Sequence, residues 1–369
     1  MRELFDIFAT RRCWPDEPMA LATVVRVEGS NFRRAGARLL VRANGNCVGS
    51  VSGGCLEQDV LEHARELFAT PTGPRRLVYD TTVPDDRLFG VSSGCKGRVT
   101  ILVELLPPRS ASRVDDWLTQ AETCLQEGTT SLVAALIEGP ADWMSPRTIV
   151  MPLDVAAEKV RTVFGISLPP ESVEQTAFLS GGTTERPLTV FIQCIEPQPV
   201  LLICGAGPTA RPLAAICAQI GWRAKVLDWR KGLLAMAPFP PGTELEHVSS
   251  WADYDFAAVD GITAAVVMTH RWEEDCTTMR GLLQRRLCYL GLMGSHQRCA
   301  ELLDTLGQNQ LSDAASLNVD APAGVPIGAE GPEEIAVSIA ARLIAAVRQN
   351  RRVVESCGNV TVASGYFVA

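Results

Sequence analysis

Histidine is scarce in this chain, and so are the patterns that gather cysteine into sites. The four histidines among 369 residues lie far apart, which argues against a zinc site built from locally spaced ligands. The twelve cysteines are scattered and none stands in a CxxC pair. No apolar run reaches membrane-spanning length. The opening MRELFDIFATRRCW sets acids among its apolar residues, unlike the apolar core of a signal peptide. Cysteine usage of this kind is expected of reduced thiols in a cytoplasmic protein. Positive charge is not in excess either. A net charge of −8 argues against nucleic acid or an anionic membrane as the main partner.

Apolar residues are abundant, at 47% against 21% charged, enough to bury real cores. The length suits two domains. Glu196-Pro197-Gln198-Pro199 is the best linker, so domains over 1–198 and 199–369 are expected. The fold class expected is α/β. An N-terminal α+β domain with a mixed sheet precedes a Rossmann-like, doubly wound parallel-sheet domain.

The organising stretch is Val48–Val60, VGSVSGGCLEQDV. It reads as a strand, a bend at Gly53-Gly54, and a helix opened by Cys55. Leu56, Val60, Ala64 and Leu67 recur at helical spacing, predicting a helix to about Phe68. A thiol at a helix start is biased toward thiolate, and two glycines let a bulky ligand approach the backbone. The alternative is a tight turn with Cys55 as a small buried hydrophobe. Upstream, GSNFRRAGAR carries Arg33, Arg34 and Arg38. These read either as a solvated loop or as a guanidinium cluster for phosphate. Asn44-Gly45 between two apolar runs signals a hairpin. Downstream, SSGCKG sets Cys95 beside Lys96 in a second glycine-rich loop. A helix is predicted over 112–127, strands over 132–137, 148–151 and 188–195, and a loop over 167–182.

The second half opens with the apolar run Val200–Cys204, then Gly205-Ala-Gly207-Pro-Thr-Ala210, a helix ending at Gly221, and a strand closing on Asp228. This is the order of a dinucleotide-binding βαβ unit, with Asp228 placed as the ribose acid. Pro212 would fall inside the helix and disturb it. Later strands end in Thr269-His270-Arg271 and in Gly294-Ser295, at the edge where such sheets bind ligands. His270 with Asp275 is a candidate acid/base pair. Gly294-Ser295 opens a helix and offers N–H donors to an anion. Pro332-Glu333-Glu334 starts a helix to about Gln349, and 359–368 reads as a strand.

With these residues laid out, the chain resembles the XdhC/CoxI family, accessory proteins for molybdenum hydroxylases such as xanthine dehydrogenase. The matching pieces are GSVSGGCLE (49–57), GCKG (94–97), LLICGAGPTA (201–210), LDWR (227–230), YLGLMGS (289–295) and PEEIAVSIAA (332–341). Asn31 and Phe32 stand where the family often has proline, Lys96 where it has glycine, and Arg342 in place of glutamate. The resemblance implies a protein that binds molybdenum cofactor, stabilises it, supports its sulfuration and delivers it. Its partners would be an apo molybdenum hydroxylase, a cysteine desulfurase, and a second copy of the chain.

On that reading Cys55 contacts the molybdenum, with Cys95 as second choice. Gly53 and Gly54 make room for the pterin, Arg33, Arg34 and Arg38 take its phosphate, and Glu57 orients the loop through backbone N–H groups. The competing reading is an NAD(P)-dependent oxidoreductase built on Gly205, Gly207, Ala210 and Asp228, with His270 and Asp275 as catalytic residues.

Overall fold

The computed structural model describes residues 2–29, 32–71, 73–80, 97–111, 116–140, 147–173, 176–182, 187–236, 238–256, 261–307 and 319–356. The loop carrying Cys95 and the strand expected over 359–368 lie outside the described residues. The chain divides into two units, Met1–Pro197 and Gln198–Ala369. Among the described residues no helix is long and apolar enough to cross a membrane.

The first unit begins with α1 (Arg2–Cys13), β1 (Met19–Gly29), β2 (Arg38–Arg42), β3 (Cys47–Gly49), α2 (Glu57–Ala69), β4 (Arg75–Asp80) and β5 (Gly97–Leu106). Its strands pair in the order β3-β2-β1-β5-β4, each pairing antiparallel. Residues Met19 to Val25 of β1 are buried without alternation, because helices cover both faces of this central strand. Val60, Ala64 and Leu67 of α2 pack on one face with Ala20, Ala22 and Val24. Ile7 and Phe8 of α1 pack on the other with Met19, Leu21 and Leu40. Gly45 turns the β2–β3 hairpin at φ +87.

Next come α3 (Trp117–Gln126), β6 (Ser131–Glu138), β7 (Thr148–Pro152), α4 (Leu153–Phe164), β8 (Ala177–Gly182) and β9 (Pro187–Ile195). They form a second sheet, β7-β6-β9-β8, again antiparallel throughout. The mixed sheet expected for this half thus resolves into two antiparallel sheets. Edge strand β8 replaces the expected loop at 177–182. Its AFLSGG lacks the apolar alternation of a half-buried strand, and its place is set by pairing with β9. Helix α3 starts at Trp117, later than periodicity alone suggests. Asp116 stops it there by accepting the N–H groups of Leu118 and Thr119, each at 3.0 Å.

The second unit runs β10 (Val200–Cys204), α5 (Ala210–Ile220), β11 (Arg223–Asp228), α6 (Lys231–Ala235), β12 (Glu244–His247), β13 (Ile262–Val267), α7 (Trp272–Leu283), β14 (Tyr289–Leu292), α8 (His296–Gly307), β15 (Val319–Asp320) and α9 (Pro332–Ser356). Its sheet has the order β12-β11-β10-β13-β14-β15, and every pairing is parallel. Helices α5 and α9 cover one face, α7 and α8 the other. This is a Rossmann-type doubly wound sheet, with its switch point between β10 and β13. Pro212 disturbs nothing. It is the third residue of α5, in the first turn where N–H groups have no intrahelical acceptor.

Asp116 also holds the buried Arg11, accepting from Nη1 at 2.8 Å and Nη2 at 3.0 Å, with both side chains under a tenth exposed. Removing one partner leaves a buried charge uncompensated. Asp116→Ala is expected to lower unfolding stability by about 3–5 kcal/mol, measured by urea denaturation. Asp116→Asn, which keeps a cap acceptor, should cost less.

Candidate functional site

The stretch between β3 and α2 is anchored at both ends and open in the middle. Val51, Ser52 and Leu56 are buried, whereas Gly53, Gly54 and Cys55 are exposed. The helix begins at Glu57, two residues later than expected, and Leu56 is its N-cap without a side-chain cap bond. Cys55 therefore belongs to the bend and not to the first helical turn.

Glu57 holds the bend. Its carboxylate accepts from Ser52 N–H and Gly54 N–H, both at 3.0 Å. It also accepts from the Ser50 hydroxyl at 2.7 Å and from the Ser52 hydroxyl. Ser52 Oγ in turn accepts the N–H groups of Gly54 and Leu56. Burial pushes the Glu57 carboxyl up, but these hydroxyl and N–H donors outweigh it and draw its pKa from the ordinary 4.5 down to about 2.

Gly54 has φ +114, and a Cβ placed there would meet nothing within 4 Å. Only glycine takes that backbone conformation freely, and the space beside it is open. At Gly53 a Cβ would stand 3.2 Å from the Phe32 ring, a side chain itself 74% exposed. Sequence reasoning noticed Phe32 only as a departure from the family pattern and missed its place over the glycines.

The three arginines do not converge. Arg34 is exposed. Arg33 pairs with Glu3. Arg38 as a phosphate ligand is corrected: it lies on β2, buried, with Nη1 donating to Gly36 O, Nη2 to Gln193 Oε1, and the guanidinium over the Trp117 ring. Burial lowers its pKa to about 10, against the opposing pull of Glu3 and Glu104. Alternating strand faces decide this, since Arg38 points into the core between sheet and α3. Among the described residues no group of three or more His, Cys, Asp and Glu could hold a metal ion.

The second unit brings its expected residues to the carboxyl edge of the parallel sheet. Gly205 N–H donates to Leu227 O at 2.7 Å. A Cβ on Gly205 would strike Met268 O at 2.4 Å, so this glycine serves close strand packing. Gly207 is open, with only the His270 ring 4.0 Å from a Cβ position. Ala210 is buried as the first residue of α5. Ser295 Oγ accepts Arg298 N–H at 3.2 Å, capping α8 beside Gly294.

Two expectations change here. Asp228 is fully buried and its carboxylate already has four donors. Oδ1 accepts from Arg230 N and Nε at 2.7 and 2.9 Å, and Oδ2 from Ala206 N and Arg230 Nη2 at 2.6 and 2.7 Å. Burial would raise its pKa, but the Arg230 guanidinium and these N–H groups lower it overall. The acid is thus a brace for the glycine loop and not a free ribose acceptor. Asp275 does not pair with His270. It is fully buried, taking Thr269 N–H and hydroxyl on Oδ1 and Arg298 Nη2 on Oδ2. His270 is exposed and, at φ 63, is the only non-glycine residue with positive φ among the described residues. Such strain costs about 1–3 kcal/mol and marks ligand edges.

Comparison with known proteins covers both parts. The model of the XdhC and CoxI family matches residues 15–80, which include the Glu57-braced bend. That of the XdhC Rossmann domain matches 201–343. A Bacillus subtilis (strain 168) protein described as a probable subunit of xanthine dehydrogenase is 33% identical over 345 residues, 89% of this chain and 93% of that one. The molybdenum cofactor insertion chaperone PaoD of Escherichia coli (strain K12) is 22% identical over 341 residues, 92% of this chain and 87% of that one. A crystal structure described as a xanthine dehydrogenase from Bacillus halodurans shares the fold with a TM-score of 0.72 and 27% identity, covering 95% of this chain and 96% of that one. With both family models matched in order and a 33% identical relative spanning most of the chain, the protein belongs to the XdhC/CoxI family.

Proposed function

We propose that this chain is a maturation factor for a xanthine dehydrogenase-type molybdenum hydroxylase. In this reading it binds molybdenum cofactor at the bend before α2, protects it during sulfuration by a cysteine desulfurase, and passes it to the apo-enzyme. The observation that carries the reading is the Glu57-braced bend, which holds Gly54 and Cys55 in open space. The relatives' names, one tied to xanthine dehydrogenase and the other to molybdenum cofactor insertion, favour it over an oxidoreductase.

The residues fit the group. Bound through dithiolene sulfur, molybdenum accepts soft thiolate ligands, and the exposed Cys55 supplies one. Gly53 and Gly54 leave the backbone bare for a flat heterocycle, and the Phe32 ring beside Gly53 offers it a stacking face. Arg34 is the exposed guanidinium of its loop and the candidate for the phosphate. Cys95 is kept as the second choice for that contact. The chain's own part is to hold and orient, since neither His270 nor Asp275 is arranged as an acid/base pair.

Molybdenum and pterin retained per chain are expected to fall severalfold or more in Cys55→Ala, with the fold intact by circular dichroism, and to fall less in Cys95→Ala. Equal retention in the parent and both variants would sink the proposal.

Glu57 ties the site to pH. Its folded pKa lies below the ordinary value, so its stabilisation is full above about pH 4.5 and is lost as pH falls toward 2. The gap in melting temperature between parent and Glu57→Gln should therefore be widest near neutrality and narrow through that window. A gap independent of pH would mean that the charge on Glu57 contributes nothing to the brace.

A further inference from the structure

The second unit carries a constellation that the proposed function does not use. Three acid–arginine pairs line the carboxyl edge of its sheet, and all are layered the same way. Asp228, Asp275 and Glu274 lie inside with side chains 0%, 0% and 16% exposed; their partners Arg230, Arg298 and Arg271 lie outside at 34%, 24% and 57%. The acids cancel the net charge, yet the guanidinium groups face the solvent. A ligand at this edge meets guanidinium donors before it meets the acids that hold them.

Indole rings accompany the guanidinium groups. Arg271 stands 5.0 Å and Arg230 5.6 Å from the Trp229 ring centre, and Arg298 5.8 Å from that of Trp272. Both rings are more than a third exposed. Two polar atoms here, Glu274 Oε2 and Arg298 Nη1, are buried without a hydrogen-bond partner among the described residues. Buried polar atoms are usually satisfied, so a missing acceptor and a missing donor on one edge point to a ligand with both. The strained His270 beside the open Gly207 lies at the same edge.

The sequence order suggests a ribose diol on Asp228, and the geometry opposes it. All four donors on that carboxylate come from the protein. What the β11 end offers is Arg230, clamped through Nε and Nη2 with Nη1 free of Asp228, and Arg271 on the same indole. An arginine at this place in a dinucleotide fold suits a ribose phosphate.

We propose that the carboxyl edge of the Rossmann sheet is a second ligand site, for a nucleotide bearing a ribose 2′-phosphate. Arg230 and Arg271 take the phosphate, the Trp229 face and its guanidinium groups flank the base, and the bare Gly207 admits the diphosphate. Asp228 acts only by holding Arg230 and the glycine loop. The proposal uses no residue of the Cys55 bend, so its failure leaves the cofactor reading untouched.

Calorimetric titration of the full chain with NADP⁺, NAD⁺, 2′-AMP, 5′-AMP and inorganic phosphate tests this. NADP⁺ is expected to bind about tenfold or more tightly than NAD⁺, the scale of one or two charge-assisted bonds, and 2′-AMP to exceed 5′-AMP in the same sense. Arg230→Ala and Arg271→Ala, each shown to be folded by its circular dichroism spectrum at the titration temperature, should shrink that ratio, and the double variant should erase it. Arg271 is surface-exposed, so its variant keeps the test usable if Arg230→Ala fails to fold. Equal or tighter binding of NAD⁺, no binding of either at millimolar concentration, or a ratio that survives in the double variant would overturn the proposal. So would inorganic phosphate binding as tightly as 2′-AMP, which would leave a bare anion site.

Discussion

Carboxylates that accept backbone N–H groups at bends hold this molecule's working parts in place. Glu57 accepts Ser52 and Gly54, Asp228 accepts Ala206 and Arg230, Asp275 accepts Thr269, Asp116 accepts Leu118 and Thr119, and Glu3 accepts Arg38 at 2.6 Å. Each N–H lies at or near a point where the chain enters or leaves a strand or enters a helix. An unpaired buried donor costs about 1–3 kcal/mol, and an ionised acceptor makes a stronger bond than a neutral one. The acids thus turn loops that would otherwise sample many conformations into fixed platforms.

That constraint explains why the exposed groups stand where they do. Cys55 is accessible because Val51, Ser52 and Leu56 are buried on either side of it and Glu57 grips the backbone beneath. His270 keeps a left-handed conformation because Thr269 before it is tied to Asp275 and Arg271 after it donates N–H to Thr269 Oγ1 at 3.1 Å. Arg230 presents one edge outward because Asp228 takes the other. In each case an acid gives up its own availability to a ligand and positions a neighbour instead.

The two units use different covering. In the first, α1 and α2 sandwich an antiparallel sheet, so β1 reads as continuous apolar sequence although its pairing is antiparallel. In the second, helices on both faces of a parallel sheet leave the carboxyl edge as the open surface.

Local sequence determined the elements whose signals are local. These are the Asn44-Gly45 hairpin, the period of α2, the βαβ order around Gly205–Gly207, and the proline and acids that open α9. Steric preference and hydrophobic period act over a few residues, so they are legible without a structure. The GGC bend and the family motifs were legible for the same reason, and so was the grip of Glu57, which reaches only a few residues back along the chain. What tertiary structure alone decided was where long-range partners go. Arg38 was indistinguishable from Arg34 in sequence, yet strand pairing turned it inward toward Gln193 and Trp117. Edge strand β8 exists because β9 lies beside it. Asp228 had the spacing of a ribose acid, but Ala206 and Arg230 converge on it only once β10 and β11 are paired. A carboxylate's role depends on which donors reach it in space, and spacing along the chain does not carry that information.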